Sequence, residues 1–292
     1  MAKRIAFATH EGFPNLTDDD RLAADALAKR GYKVEAALWT DLSANWSNYS
    51  AVVIRSCWDY HLKPDEFRNW LDRLEHENVA LWNPYGVVRW NLDKSYLSDL
   101  QKQGVPVLDS VWIAEGANTD VVELMRNKGW RQAVVKPMIS AAANETYLVI
   151  ASGTKQSPPL NSILHKIKGG VIVQDFAEEI QKSGEWSLIF FNKQYSHAVI
   201  KRPQKGDFRV QRDFGGTAQP KEAPLRLVDQ AQSILEGIEG DLLYARVDGI
   251  ERDGQLFLME LELIEPHLFF EMHSQGAERF ADALIETLSA KV

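Results

Sequence analysis

An α/β chain, with a parallel sheet first and a largely antiparallel sheet last, is predicted by three observations. The first third alternates short apolar runs with helical periodicity in the order β-α-β-β-α. The last third carries paired strand-like segments separated by turn residues. The whole, 292 residues with 45% hydrophobic and 25% charged, is enough to bury a large core divided among two or three lobes.

In chain order, the apolar run Arg4–Ala8 is the first strand. Thr17 precedes three aspartates as a helix N-cap, Leu22, Ala26 and Leu27 recur at helical spacing, and Gly31 closes the helix. Lys33–Leu38 and Ala51–Ile54 are the next strands, and Pro64 opens a helix whose apolar face carries Phe67, Trp70, Leu71 and Leu74. A boundary is expected near Asn83-Pro84-Tyr85-Gly86. A helix resumes over Asp93–Leu100, Val134–Lys136 and Tyr147–Ile150 are strands, and Val171–Gln174 runs into Asp175-Phe176-Ala177. Pro158-Pro159 reads as a short loop. Glu185–Asn192 and Gln194–Lys201 flank a turn, and a helix covers Leu225–Ile238. Tyr244–Glu251 and Gln255–Ile264 form a hairpin, followed by an amphipathic helix from about Gly276. The expected divisions are residues 1–85, 86–175 and 176–292.

A net charge of −8 argues against a non-specific nucleic-acid or anionic-membrane binder, so an anionic substrate must be met by a local basic cluster. The one cysteine, Cys57, excludes an internal disulfide and a cysteine-rich metal site. The chain enters a strand at Lys3–Ala8 with no apolar signal segment, so a cytoplasmic location is expected, and the Asn15, Asn45 and Asn144 sequons are coincidental.

The hairpin carries the most chemistry. Alternation puts Glu260 and Glu262 on one strand face, and the turn Arg252-Asp253-Gly254 brings Asp248 alongside, completing a three-carboxylate oxygen site for Mg²⁺. A solvated acidic face is the other reading. Lys94 opposes the dipole at a helix start, and Lys136 leaves an apolar strand just before Ser140-Ala141-Ala142-Ala143; both suit phosphate oxygens, with solvated or snorkelling lysines as the alternatives. Val171–Ile180 offers backbone to a purine edge with an acid just beyond for ribose hydroxyls. Lys201, Arg202, Lys205, Arg209 and Arg212, ending in Gly215-Gly216-Thr217, form either an anion funnel or a solvated loop. Arg55, Trp58 and Asp59 follow the strand Ala51–Ile54, where parallel sheets place ligands, unless they form a structural corner.

Taken in order, these residues resemble the ATP-grasp superfamily from Asp93 to the end of the chain, with a matching preceding domain. The resemblance implies a Rossmann-like N-terminal domain, linker helices and a central lid over 86–175, and a mostly antiparallel C-terminal lobe. It implies ATP phosphates on Lys94 and Lys136 and an adenine hinge at Gln174, Asp175 and Phe176. Ribose contacts would fall to Glu178 or Glu179, and Glu185 is the acid opening the next strand. Mg²⁺ would sit on Asp248, Glu260 and Glu262, the last standing where bacterial glutathione synthetases have Asn. Arg55-Ser-Cys-Trp-Asp-Tyr60, Phe208-Arg-Val-Gln211 with its Gly-Gly-Thr, and Leu263-Ile-Glu-Pro266 resemble more closely the glutathione-synthetase-like branch that includes the cyclo-ligase forming D-cycloserine. The implied activity is that of an ADP-forming carbon–nitrogen ligase. A carboxylate of an amino-acid-like substrate becomes an acyl phosphate, and a nitrogen nucleophile captures it, in a cyclo-ligase on the same molecule. Arg209 and Lys136 are the expected catalytic residues, and Arg55, Trp58, Asp59, Lys201 and Arg246 the substrate contacts, with Arg55 on the carboxylate and Asp59 on the ammonium. A monomer or homodimer is expected. A small-molecule kinase and a non-catalytic ATP-binding regulator are the alternatives.

Overall fold

The computed structural model describes residues 3–151, Leu164 and 167–290; the Pro158-Pro159 loop lies outside the described residues. Three sheets form the frame of the described residues. The first is parallel, ordered β2-β1-β3-β4, from β1 (Arg4–Thr9), β2 (Lys33–Leu38), β3 (Ala51–Ser56) and β4 (Leu81–Trp82). β3 is buried throughout and β1 nearly so, which is why both read as unbroken apolar runs rather than alternating ones. α1 (Asp18–Lys29) starts on Thr17, whose hydroxyl accepts from Asp20 N at 3.0 Å. α2 (Pro64–His76) buries Phe67, Trp70, Leu71 and Leu74.

Instead of one helix over Asp93–Leu100, the chain forms α3 (Tyr85–Asn91) and α4 (Tyr96–Lys102), with Lys94 in the break between them. The second sheet is antiparallel, ordered β5-β8-β6-β7, from β5 (Ser110–Ile113), β6 (Gln132–Pro137), β7 (Tyr147–Ile150) and β8 (Val171–Asp175). β4, β5 and the helix α5 (Val121–Lys128) went unread in the sequence because two to eight residues are too few to show a period.

The third sheet is antiparallel, ordered β11-β10-β9-β12-β13: β9 (Glu185–Phe191), β10 (Gln194–Arg202), β11 (Thr217–Pro220), β12 (Tyr244–Arg252) and β13 (Gln255–Glu262). Asp253 and Gly254, both at positive φ, make the two-residue turn between β12 and β13.

Helices cross the expected divisions. α4 packs Tyr96, Leu97 and Leu100 into the core of the third sheet, together with the helix Leu225–Glu236. The helix Gly276–Ala290 returns to the beginning of the molecule, where Phe280, Ala281 and Leu284 share a core with Ile5, Phe7 and the α1 residues Ala23 and Leu27. Each helix has an apolar stripe, and it settles on whichever sheet face lacks cover.

Candidate active site

The β12–β13 register sets the site. Asp248 lies opposite Glu260 and Arg246 opposite Glu262, while on the other side of β12 Asp248 meets Ser187 of β9. On β10, Lys201 lies opposite Glu185 of β9. One sheet face therefore carries Lys201, Glu185, Ser187, Arg246, Asp248, Glu260 and Glu262, all but the last two buried.

Their contacts form one network. Lys201 Nζ sits 2.5 Å from Glu185 Oε1 and 2.8 Å from Asp248 Oδ2. Arg246 forks onto Asp248 at 2.9–3.2 Å and also donates to Glu262. Ser187 Oγ donates to Asp248 Oδ1 at 2.6 Å. From outside the sheet, Lys94 Nζ reaches Glu260 Oε1 at 2.9 Å and the Ser140 carbonyl at 2.8 Å. The break between α3 and α4 is what aims Lys94 inward: its own N–H is spent on the Met138 carbonyl.

The electrostatics follow from this packing. Burial alone would raise Asp248, but Arg246 and Lys201 hold it well below the usual carboxylate range. Burial would likewise raise Glu260, yet Lys94 and Lys136 hold it down to about 2. Glu262 goes up, through burial and the charges of Asp248 and Glu260, against the pull of Arg246. Lys136, half-buried, is lowered by burial, with Glu260 opposing and Lys94 assisting. Its side chain makes no hydrogen bond or ion pair among the described residues, so its ammonium is available to an incoming anion.

Of the residues named from sequence, the structure gathers Lys94, Lys136, Glu185, Lys201, Arg246, Asp248, Glu260 and Glu262. The three expected metal ligands are not equivalent, however. Both oxygens of Asp248 are saturated by Ser187, Lys201 and Arg246, and the three carboxylates do not bring oxygens within 4.8 Å of one another. Glu260 and Glu262 each keep one oxygen without a protein partner among the described residues. These two, hard oxygen donors on one strand face, fit Mg²⁺; Asp248 instead organises the cations.

Other expectations depart from the geometry. Arg55 is a buried structural cation, its side chain 1% exposed, with Nε on Asp20 at 2.9 Å and Nη2 on the Pro266 carbonyl at 3.1 Å. Asp59 accepts from Trp39 Nε1 at 2.7 Å rather than facing a ligand. Trp58 is half-buried and anchored by Nε1 on the Glu265 carbonyl at 3.0 Å. Arg209 pairs with Asp207 at 2.8 Å and lies over the Phe214 ring at 3.5 Å, apart from the network. In the hinge, the Gln174 side chain turns inward onto Ser110 Oγ at 3.1 Å, and the amides of Asp175 and Phe176 are taken by Asp109 and Gln132. Phe176 is itself buried. Glu179 forks onto Arg252, whereas Glu178 is exposed and bonds Lys182. Sequence reading missed Glu265, a buried carboxyl within the Leu263–Pro266 motif, which burial, Glu262 and Glu260 push up. Its signal was an acid beside two apolar residues.

A family model for the N-terminal domain of D-cycloserine synthetase DcsG matches residues 5–83. The cycloserine biosynthesis protein DcsG of Streptomyces lavendulae is 32% identical over 277 residues, 88% of this chain and 90% of that protein. The crystal structure of D-cycloserine synthetase DcsG superposes with a TM-score of 0.86 at 30% identity, covering 98% of this chain and 99% of that one. A D-alanine–D-alanine ligase from Bacillus anthracis, complexed with ATP, follows at TM-score 0.68 and 16% identity, over 99% and 98% of the two chains. At that identity the likeness speaks for the fold.

Proposed function

The chain belongs to the DcsG family of ATP-grasp ligases, and from that premise we propose that it is an ADP-forming carbon–nitrogen ligase. It activates the carboxylate of an amino-acid-like substrate and closes an amide onto a nitrogen of the same molecule. The observation that carries this reading is the approach of Lys94, from the break between α3 and α4, and Lys136, from β6, to the face of the third sheet that carries Lys201, Arg246, Glu260 and Glu262. A polyanion that enters there meets Lys94, Lys201 and Arg246 already held by carboxylates together with the ammonium of Lys136, which is the electrostatic requirement of phosphoryl transfer.

In the first step a substrate carboxylate oxygen attacks the γ-phosphorus; the bond to the β-phosphate oxygen breaks and ADP leaves. Lys94, beside Glu260, and Lys136, which has no side-chain partner among the described residues, are suited to the phosphate oxygens. Lys201 and Arg246, held by Asp248, stay fixed to offset charge on the transferred group. Mg²⁺ on Glu260 and Glu262 would supply charge neutralisation of the phosphates. In the second step a nitrogen lone pair attacks the acyl carbon, phosphate leaves, and the nitrogen loses a proton. Closure over the site must exclude water from the acyl phosphate. Glu178, exposed just beyond the hinge strand, is the acid suited to ribose hydroxyls. The same reading includes a cytoplasmic location; among the described residues no helix is long and apolar enough to cross a membrane.

The test is ADP release with a panel of D- and L-serine derivatives bearing O-amino or O-ureido groups, with mass spectrometry of the products. The choice follows from D-cycloserine itself, whose ring amide disconnects to a serine carboxyl and an oxyamine nitrogen. A cyclic product with ADP and phosphate is expected. AMP and pyrophosphate, or a phosphorylated hydroxyl, would overturn the reading.

A further inference from the structure

We propose that Asp19, His267 and Glu271 form the pocket that receives the α-ammonium of the amino-acid substrate, an inference that rests on the ligase reading above. Asp19 lies in the first turn of α1, 5% exposed. Its Oδ1 accepts from Glu271 N at 3.0 Å, but its Oδ2 has no hydrogen-bond partner and points at His267 Nε2, 3.6 Å away. In the ligand-free protein this carboxyl keeps its proton; once ionised, a buried carboxylate oxygen without a donor is costly, so the donor that ionises it is expected from outside the chain. Glu271 commits one oxygen to Arg212 at 2.7 Å and turns the other to His267 Nε2 at 3.8 Å. One ligand atom from each of the three residues lies within 4.8 Å of the other two. A primary ammonium brings three N–H donors and no acceptor, matching two carboxylate oxygens and an imidazole lone pair.

The surroundings select a monocation. When Asp19 is ionised the pocket presents two carboxylates, one of them paired with Arg212, while the nearby Arg246 is paired with Asp248 and Glu262 and Arg55 with Asp20, which leaves one uncompensated negative charge. Burial pulls His267 down to about 4, so it is neutral at physiological pH and able to accept. Burial and the neighbouring Glu271 push Asp19 up to about 8, against Arg55; an arriving cation displaces that proton. Trp58, 6.4 Å from His267 between ring centres and braced by Phe13 at 5.4 Å, supplies an aromatic wall of the kind that tolerates a cation. Arg246 joins the two ends of the site: Nη1 donates to the His267 carbonyl at 3.1 Å while Nη2 holds Asp248 and Glu262. An α-amino acid carries ammonium and carboxylate on adjacent carbons, so adjacent clusters must read them. The role expected of Asp59 thereby moves to Asp19.

The experiment compares wild type with Asp19→Asn, which keeps an acceptor for Glu271 N. Probes are O-amino- and O-ureido-D-serine and their des-amino counterparts, 3-(aminooxy)propanoate and 3-(ureidooxy)propanoate, in turnover and in calorimetric binding. Wild type should prefer the amino acids, and Asp19→Asn should raise their KM and Kd by about 10- to 100-fold with ATP KM unchanged and the des-amino compounds unaffected. Calorimetry in buffers of different ionisation enthalpy should show a proton released on binding to wild type and none to the variant. Equal losses for both compound classes, or binding of the amino acids unchanged, overturn the pocket; so does a Zn²⁺ or Mn²⁺ ion retained by wild type and lost in the variant. Asp19-dependent binding without ATP turnover would sink the ligase reading alone, whereas absence of any binding sinks the pocket. Glu271→Gln serves as the second variant, with the same selective loss expected.

Discussion

Arg55 illustrates how burial decides what a charge is for. It lies near the carboxyl end of a strand in a parallel sheet, the place where such folds hold ligands, yet it sits under the rings of Tyr244, Phe270 and Phe280 with Nε paired to Asp20, Nη2 on the Pro266 carbonyl and only Nη1 without a hydrogen-bond partner. Arg55→Ala should therefore cost about 3–5 kcal/mol of stability, because Asp20 is left buried and unpaired. Chemical denaturation measures it, and a fully stable variant with only a raised substrate KM would restore the substrate role. Glu260→Gln tests the opposite case, a carboxylate whose side chain is 30% exposed and whose second oxygen is free. Turnover should fall by about 100-fold or more with only a modest change in unfolding temperature, since on the proposed function this carboxylate would be a charged ligand for Mg²⁺. Near-normal turnover would mean that Glu260 serves Lys94 alone.

Asp19 also makes a pH prediction. Its folded pKa, about 8, lies above its unfolded value near 3.8, so between those limits the native state binds the extra proton. The Asp19 contribution to stability then falls as pH rises through that window, and Asp19→Asn removes that contribution. Melting curves of the ligand-free protein at pH 5 and pH 8 should converge in the variant by several degrees, at about 2–4 °C for each kcal/mol in a chain of this size. Unchanged pH dependence would show Asp19 to be ionised throughout.

Among elements, the β12–β13 hairpin is the decisive one. Its turn sets the register near the tip, but a bulge between Asp248 and Gly249 shifts the pairing so that Asp248 faces Glu260. A Cβ at Gly249 would lie 2.5 Å from the Phe257 carbonyl oxygen. Gly249→Ala should thus move the strand, destabilising by about 1–3 kcal/mol and lowering kcat with it, because the same shift separates Asp248 from Lys201 and Arg246. A variant of unchanged stability and kcat would show that the hairpin yields freely. The break at Lys94 is the second element-scale device: a continuous helix there would carry the lysine along its own surface instead of across to β13.

For the molecule as a whole, Asn83 and Tyr244 join the first sheet to the third. Asn83, fully buried, donates to the carbonyls of Tyr244 and Leu263 at 2.9 and 2.8 Å and accepts from Leu243 N at 2.8 Å. Tyr244 Oη lies among the carbonyls of Ile54, Trp82 and Ile264. Asn83→Ala strands three backbone groups at this seam and should cost about 2–4 kcal/mol, with calorimetry resolving a separate, earlier transition of the N-terminal sheet. A single unshifted transition would show the seam to be held by apolar packing.

The parallel sheet, the lysine pair and the acidic hairpin were legible from local pattern in the chain. Apolar runs and turn residues act over a few positions, and Glu260 and Glu262 share a face by strand geometry alone. The sequence also carried the family resemblance through short motifs such as Leu263–Pro266. Only the tertiary structure decided which charges meet. Asp248 was legible as an acid of the hairpin, but not as one saturated by a lysine from β10 and an arginine two residues away. Asp19 and His267, 248 positions apart by number, gave no local signal at all. Secondary structure depends on neighbours in the chain, whereas burial, ion pairing and the state of a carboxyl depend on neighbours in space.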